Sequence, residues 1–132
     1  MTRTRRSAPA EGAPRQILSD EYPVTSYTEG ARWTPTTRTT KLLESHGWLV
    51  DICERRINRT LTRDLYGFAD HVAIRGDRIM FVQSTSDSNL AARVKKCEEA
   101  QALPIVLAAG IWVIVIGWKV VDGHARYRMV ML

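Results

Sequence analysis

Apolar and polar positions fall into regular periods only from about Thr37 onward. The run "TRTTKLLESHG" has the spacing of a short helix, with threonines able to cap its start and Gly47 where a helix end favours a left-handed residue. "WLVDICE", from Trp48 to Glu54, predicts a strand, and "RRINRTLTR" a polar connection. "LYGFADHVAIRGDRIMFVQST" predicts a hairpin, because Gly76-Asp77 separates two alternating apolar runs. "SDSNLAARVKKCEEAQAL" predicts a helix, capped by Ser86, Asp87, Ser88 or Asn89, with Leu90, Val94, Cys97 and Gln101 along one stripe. A short helical piece "PIVLAA", a buried strand "IWVIVIGW", a turn at Asp122-Gly123 and a last strand "ARYRMVML" complete the chain. The order α-β-β-β-α-(α)-β-β predicts one α/β domain over 37–132. Residues 1–36 show no period, hold every proline but Pro104 and are rich in Thr, Ser and Arg, so a flexible basic arm is expected there, either a plain tail or a segment ordered by a partner.

The hairpin fixes a register. With Gly76 and Asp77 as the turn, Ile74 faces Ile79, Val72 faces Phe81, Asp70 faces Gln83 and Phe68 faces Thr85. Alternation then puts all eight on one face, expected to lie beneath the helices. Its polar members, Asp70, Gln83 and Thr85, all fall at the open end. A buried carboxylate is costly without a metal, a cation or hydrogen-bond donors. Gln83 is either a structural donor to Asp70 or part of a metal or phosphate site.

Composition narrows the classes only a little. The chain has 132 residues, 45% of them hydrophobic, which suits one domain with one core. Nineteen Lys and Arg against fourteen Asp and Glu give a net charge of +5, compatible with a nucleic-acid partner without requiring one. Cys53 and Cys97 lack metal-ligand spacing and are expected as free thiols in a reducing compartment. The charged N-terminus has no apolar stretch behind it, so no signal peptide is read there. Pro104 and Gly110 interrupt "ALPIVLAAGIWVIVIGW", which is expected as helix plus strand and not as a membrane span. Trp48, Trp112 and Trp118 are expected in the core, Trp33 as an anchor of the arm, His71 on the face opposite Asp70, and His46 and His124 near a helix end and a turn.

Taken in order, "DLYGFADHVAI", "FVQST", "SNLAARVKK" and "GWK" resemble the PD-(D/E)xK nuclease superfamily over about residues 38 to 132, close to small phage-type Holliday-junction-resolvase-like proteins. The resemblance implies a restriction-endonuclease-like αβββαβ core, with a mixed central sheet flanked by helices. It implies Asp70 as metal-binding aspartate, Gln83 at the acid position and Thr85 at the lysine position. The metal set would be Asp70, Gln83 and Asp64, binding Mg2+ or Mn2+. Thr85 carries no charge, so a substitute cation is sought in Lys95, Lys96 or Arg93 of the following helix, or in the Arg55–Arg63 connection. Glu44 and Glu54 are candidates for the family's remaining acid, each with a surface role as the other reading. Arg55, Arg56, Arg59, Arg63 and Arg93 would bind nucleic acid, the connection being otherwise a solvated loop.

The activity so implied is cleavage of phosphodiester bonds, including those of branched DNA. The alternative is the same fold with catalysis lost, acting as a DNA-binding or phage assembly module. Partners expected on this basis are DNA, a second copy in a homodimer and a phage protein at the N-terminal arm, with no membrane. The expected location is the cytoplasm, that of the host cell for a phage-encoded chain, or the virion.

Overall fold

The computed structural model describes residues 17–22 and 33–132. Its elements are β1 (Ile17–Tyr22), α1 (Pro35–Ser45), β2 (Leu49–Ile52), β3 (Arg55–Arg56), β4 (Thr62–Arg63), β5 (His71–Arg75), β6 (Arg78–Ser86), α2 (Leu90–Glu99), α3 (Leu103–Ala108), β7 (Trp112–Val121) and β8 (His124–Met131). Six strands form one mixed sheet in the order β1-β8-β7-β6-β5-β2, and β3 and β4 form a separate two-stranded ribbon. Among the described residues, only β6 and β7 pair in parallel. That pair needs a crossover, which α2 and α3 supply. The architecture is mixed α/β.

Local chemistry accounts for the boundaries. The Thr37 N–H donates to Thr34 Oγ1 at 3.2 Å and caps α1, and Pro35 occupies its first turn, where a missing N–H costs nothing. Gly47, at φ 86°, takes the left-handed conformation that ends the helix. Gly76, at φ 62°, begins the tight turn between β5 and β6. Asp122 and Gly123, both at positive φ, make the turn between β7 and β8. The helix after β6 starts differently from expectation. Asp87–Asn89 form a 3-10 turn with no side-chain cap, and Asp87 Oδ1 instead accepts from Arg128 Nε at 2.7 Å. Gln101 lies beyond the end of α2 and is exposed, so the stripe stops at Cys97.

The sheet is covered on both faces, not on one. Leu42, Leu43, Trp48, Ala73, Met80, Val82, Ile114, Ile116, Trp118 and Tyr127 form the core on the α1 side. Phe68, Phe81, Leu90, Val94, Cys97, Val106, Val113 and Val115 form the core on the α2–α3 side. Each fully buried aliphatic or aromatic side chain contributes roughly 1.5–3 kcal/mol. Consecutive residues of β6 and β7 are buried accordingly, as expected where a parallel pair lies between helices. Ile74 and Ile79 depart from the single-face expectation: they are 43% and 38% exposed, because they lie at the turn end of the hairpin. Trp48 and Trp118 are core residues, while the half-buried Trp112 packs under the Arg78 guanidinium, 4.1 Å from the ring centre.

Two expectations for the outer segments change. Within the region read as a flexible arm, Ile17–Tyr22 is a strand paired antiparallel with β8, and α1 already begins at Pro35. The remainder of that region up to Arg32 lies outside the described residues. The polar connection after β2 is the ribbon β3–β4, with Arg55 opposite Arg63 and Arg56 opposite Thr62. Both cysteines are free thiols, Cys97 buried and Cys53 partly so. Among the described residues, no helix is long and apolar enough to cross a membrane.

Candidate metal centre

The centre begins where β5 and β6 run together at their open end. The Asp70 N–H donates to the Val82 carbonyl at 2.8 Å, and the Asp70 carbonyl accepts from the Cys53 N–H at 2.6 Å. Asp70 is thereby fixed between the chain just beyond β2 and the middle of β6. Gln83 meets it as the hairpin register requires: Gln83 Nε2 donates to Asp70 Oδ2 at 2.7 Å and to the Ser84 carbonyl at 3.2 Å. The Ser84 N–H donates to the same Asp70 oxygen at 2.9 Å. One carboxylate oxygen is thus doubly bound. The other, Asp70 Oδ1, is buried with no partner, and so is Gln83 Oε1. Asp70 is 3% and Gln83 1% exposed, so two orphaned oxygens sit in a nearly dry place.

Two further acids converge on Asp70 from the feet of the ribbon. Glu54 directly precedes β3 and Asp64 directly follows β4. From Asp64 the chain returns to Asp70 through a tight turn, in which Tyr66 and Gly67 take positive φ and Leu65 bridges Ala69. Ligand oxygens of Glu54, Asp64 and Asp70 all lie within 4.8 Å of one another. Lys96 reaches in from α2, its Nζ 3.2 Å from Asp64 Oδ2. Lys96 also borders a groove of about 520 Å³, lined in addition by Tyr66, Gly67, Glu99, Ala100, Gln101 and Ala102.

The electrostatics follow from this crowding. Burial pushes the Asp70 carboxyl up to about 7; the Ser84 N–H bond works against the rise, and Asp64 and then Glu54 add to it. A carboxylate so placed takes up either a proton or a cation. Three carboxylates form an all-oxygen donor set, which suits a hard divalent ion such as magnesium or manganese. The unpartnered Asp70 Oδ1 and Gln83 Oε1 fit the same chemistry, since both are acceptors left without a donor. Asp70, Asp64 and Glu54 are the residues that would hold the ion, with Gln83 beside them.

The other sequence-derived candidates take different places. Thr85 is buried two residues further along β6, opposite Gly117 of β7, and hydrogen-bonds neither Asp70 nor Gln83. Of the candidate cations on α2, Lys96 reaches the cluster, Lys95 is exposed and Arg93 is half-buried. Arg55, Arg56, Arg59 and Arg63 are all exposed on the ribbon. Glu44 is exposed at the end of α1. Glu54, weighed at the sequence level mainly as a surface side chain, is the acid that joins the cluster. A signal for it existed. Ile57 and Leu61 sit symmetrically about the residues 58–60, and reading them as an opposed pair sets Glu54 against Asp64.

His71 lies on the other side of the strand from Asp70, fully buried, with neither ring nitrogen bonded; burial holds it down at about 4. His46 and His124 are exposed. No family model, curated protein or solved structure matches the chain.

Proposed function

We propose that the chain is a metal-dependent nuclease-like protein of the PD-(D/E)xK type, with a restriction-endonuclease-like core, acting on phosphodiester bonds of DNA. The observation that carries this reading is the convergence of Glu54, Asp64 and Asp70 within 4.8 Å, with Lys96 Nζ at 3.2 Å from one of them. In this reading a bound magnesium or manganese ion supplies an activated water and neutralises charge on the phosphate.

The chain's own residues do the rest. Gln83 and the Ser84 N–H hold Asp70 by one oxygen and leave its other oxygen free. Burial of Asp70 and Gln83 excludes bulk water from behind the ligands. Lys96 takes the place of the positive charge that Thr85 cannot supply, and Asp64 holds its ammonium at the rim. The exposed arginines of the ribbon supply attraction for a polyanion.

The test is cleavage of labelled branched, single-stranded and duplex DNA in magnesium or manganese. Asp70→Ala abolishes cleavage, and Lys96→Ala lowers the rate by about 10²–10³-fold, the loss typical of one charge-stabilising group. A second reading is favoured by Thr85, an uncharged residue at the family's lysine position: the fold binds DNA but no longer cuts it. Salt-sensitive binding without cleavage in any metal would select that reading. Neither binding nor cleavage would leave an assembly role.

A further inference from the structure

The ribbon β3–β4 has no visible structural purpose within the fold. Every residue from Glu54 to Arg63 is exposed, including Ile57 at 47% and Leu61 at 50%. Its hydrogen bonds are its own: the Ile57 N–H donates to the Leu61 carbonyl, and Asn58 Oδ1 accepts from the N–H groups of Thr60 and Leu61. Arg56 is spent inside the turn, on the carbonyls of Asn58 and Arg59. A solvent-exposed two-stranded hairpin of this length is marginal by itself in water. This one is nevertheless tightly shaped.

Its register divides the side chains unevenly. Arg55 stands opposite Arg63, and Ile57 opposite Leu61. Cross-strand partners share a face, and alternation brings both pairs to the same one. That face therefore carries two like charges at its root and two branched aliphatics toward its tip. Opposed like charges repel, and among the described residues neither Arg55 nor Arg63 has an acidic partner in an ion pair. The face fits a ligand with closely spaced anions and flat apolar surface beside them. Nucleic acid with unstacked bases has both, whereas a stacked duplex hides its base faces.

We propose that the ribbon is a nucleic-acid grip specific for unstacked DNA: Arg55 and Arg63 take the phosphates, and Ile57 and Leu61 rest against bases freed from the helical stack. The inference rests on the DNA part of the proposed function and names the substrate feature that the site selects. The ribbon's two feet are Glu54 and Asp64, each next in the chain to one of the gripping arginines, so the ligand is held beside the carboxylate cluster.

The test is fluorescence anisotropy of the full chain, in EDTA, with a labelled four-way junction, a duplex and a single strand of matched sequence, and with heparin as a polyanion lacking bases. Arg55→Ser/Arg63→Ser weakens binding to all three DNAs about tenfold and lowers the slope of log affinity against log salt by about 1.8 on the junction and duplex and about 1.4 on the single strand, as expected for two lost phosphate contacts. Ile57→Ser/Leu61→Ser weakens junction and single strand about fivefold and leaves duplex unchanged. All four positions are exposed, so thermal midpoints of both variants match the parent. Affinities within twofold of the parent, for the arginine variant on all three DNAs or for the aliphatic variant on the junction and the single strand, overturn the proposal. So do an absence of DNA binding in the parent, and heparin binding that equals or exceeds DNA binding. If the parent binds through the ribbon yet cuts nothing in any metal, the nuclease reading fails and the grip stands.

Discussion

Asp70 and His71 are neighbours with opposite electrostatic demands. Burial raises the Asp70 pKa from 3.8 to about 7 and lowers the His71 pKa from 6.5 to about 4. For Asp70, the folded state holds a proton that the unfolded chain releases. Its contribution to stability is therefore full below about pH 4 and is lost as pH rises through 7. For His71, the unfolded chain binds the proton that the folded state refuses, so stability falls as pH drops below 6.5 toward 4. The two slopes oppose each other in the acid range. Asp70→Asn keeps the acceptor for Ser84 and Gln83 but removes the charge. Denaturant titration in EDTA will find this variant more stable than the parent at pH 8, by on the order of 4 kcal/mol. Its stability will fall below pH 6.5, where His71 acts alone. Equal stabilities at pH 8 would show that Asp70 is not charged at a cost.

The residues gathered around Asp70 show what a sequence can and cannot reveal. That Asp70 meets Gln83 was legible, because one tight turn at Gly76 fixes every pair along β5 and β6. The roles of Glu54 and Lys96 were not, because each depends on how separate segments converge. Which of Lys95, Lys96 and Arg93 faces the cluster is set by the rotation of α2 on its buried stripe, and helical spacing alone leaves that rotation open.

At the level of elements, the crossover from β6 to β7 is held by a close approach. A Cβ at Gly117 would lie 3.1 Å from both the Asp87 Cα and the Leu90 Cβ and 3.3 Å from the Ser86 carbonyl. The 3-10 turn and the start of α2 therefore pack directly on the backbone of β7. Gly117→Ala will destabilise the chain by about 1–3 kcal/mol, as overpacking usually does, and thermal or denaturant unfolding measures it. An unchanged midpoint would mean that the turn yields freely. The sequence did not reveal this contact. Ser86 to Asn89 offer four capping side chains, but the tertiary bond from Arg128 to Asp87 competes for one of them. The hairpin turns were legible because Gly76, Asp122 and Gly123 are residue types suited to positive φ.

For the whole molecule, the decisive feature is a sheet buried on both faces and finished at one edge by β1. The expectation of one apolar face failed because Met80, Val82 and Ser84 are buried as deeply as Phe81, Gln83 and Thr85. A parallel pair packed between helices gives no alternation to read. β1 escaped notice because an edge strand needs no apolar period, only backbone groups to pair with β8. Deleting the chain through Tyr22 uncovers that edge, and an open edge invites pairing with other copies. The truncated protein is expected to melt lower by roughly 5 °C or more and to self-associate in light scattering. A monodisperse truncation with the parent midpoint would show that β1 adds nothing to the sheet.

The contacts around β6 also differ in how much chain they must close. Gln83 reaches Asp70 across 13 positions, while Trp118 Nε1 reaches Thr39 Oγ1 across 79. The longer closure costs about 1.6 kcal/mol more chain entropy. The local hairpin contact is therefore expected to form before α1 is seated over the opposite face, an order that φ-values for substitutions at Gln83 and Thr39 would measure.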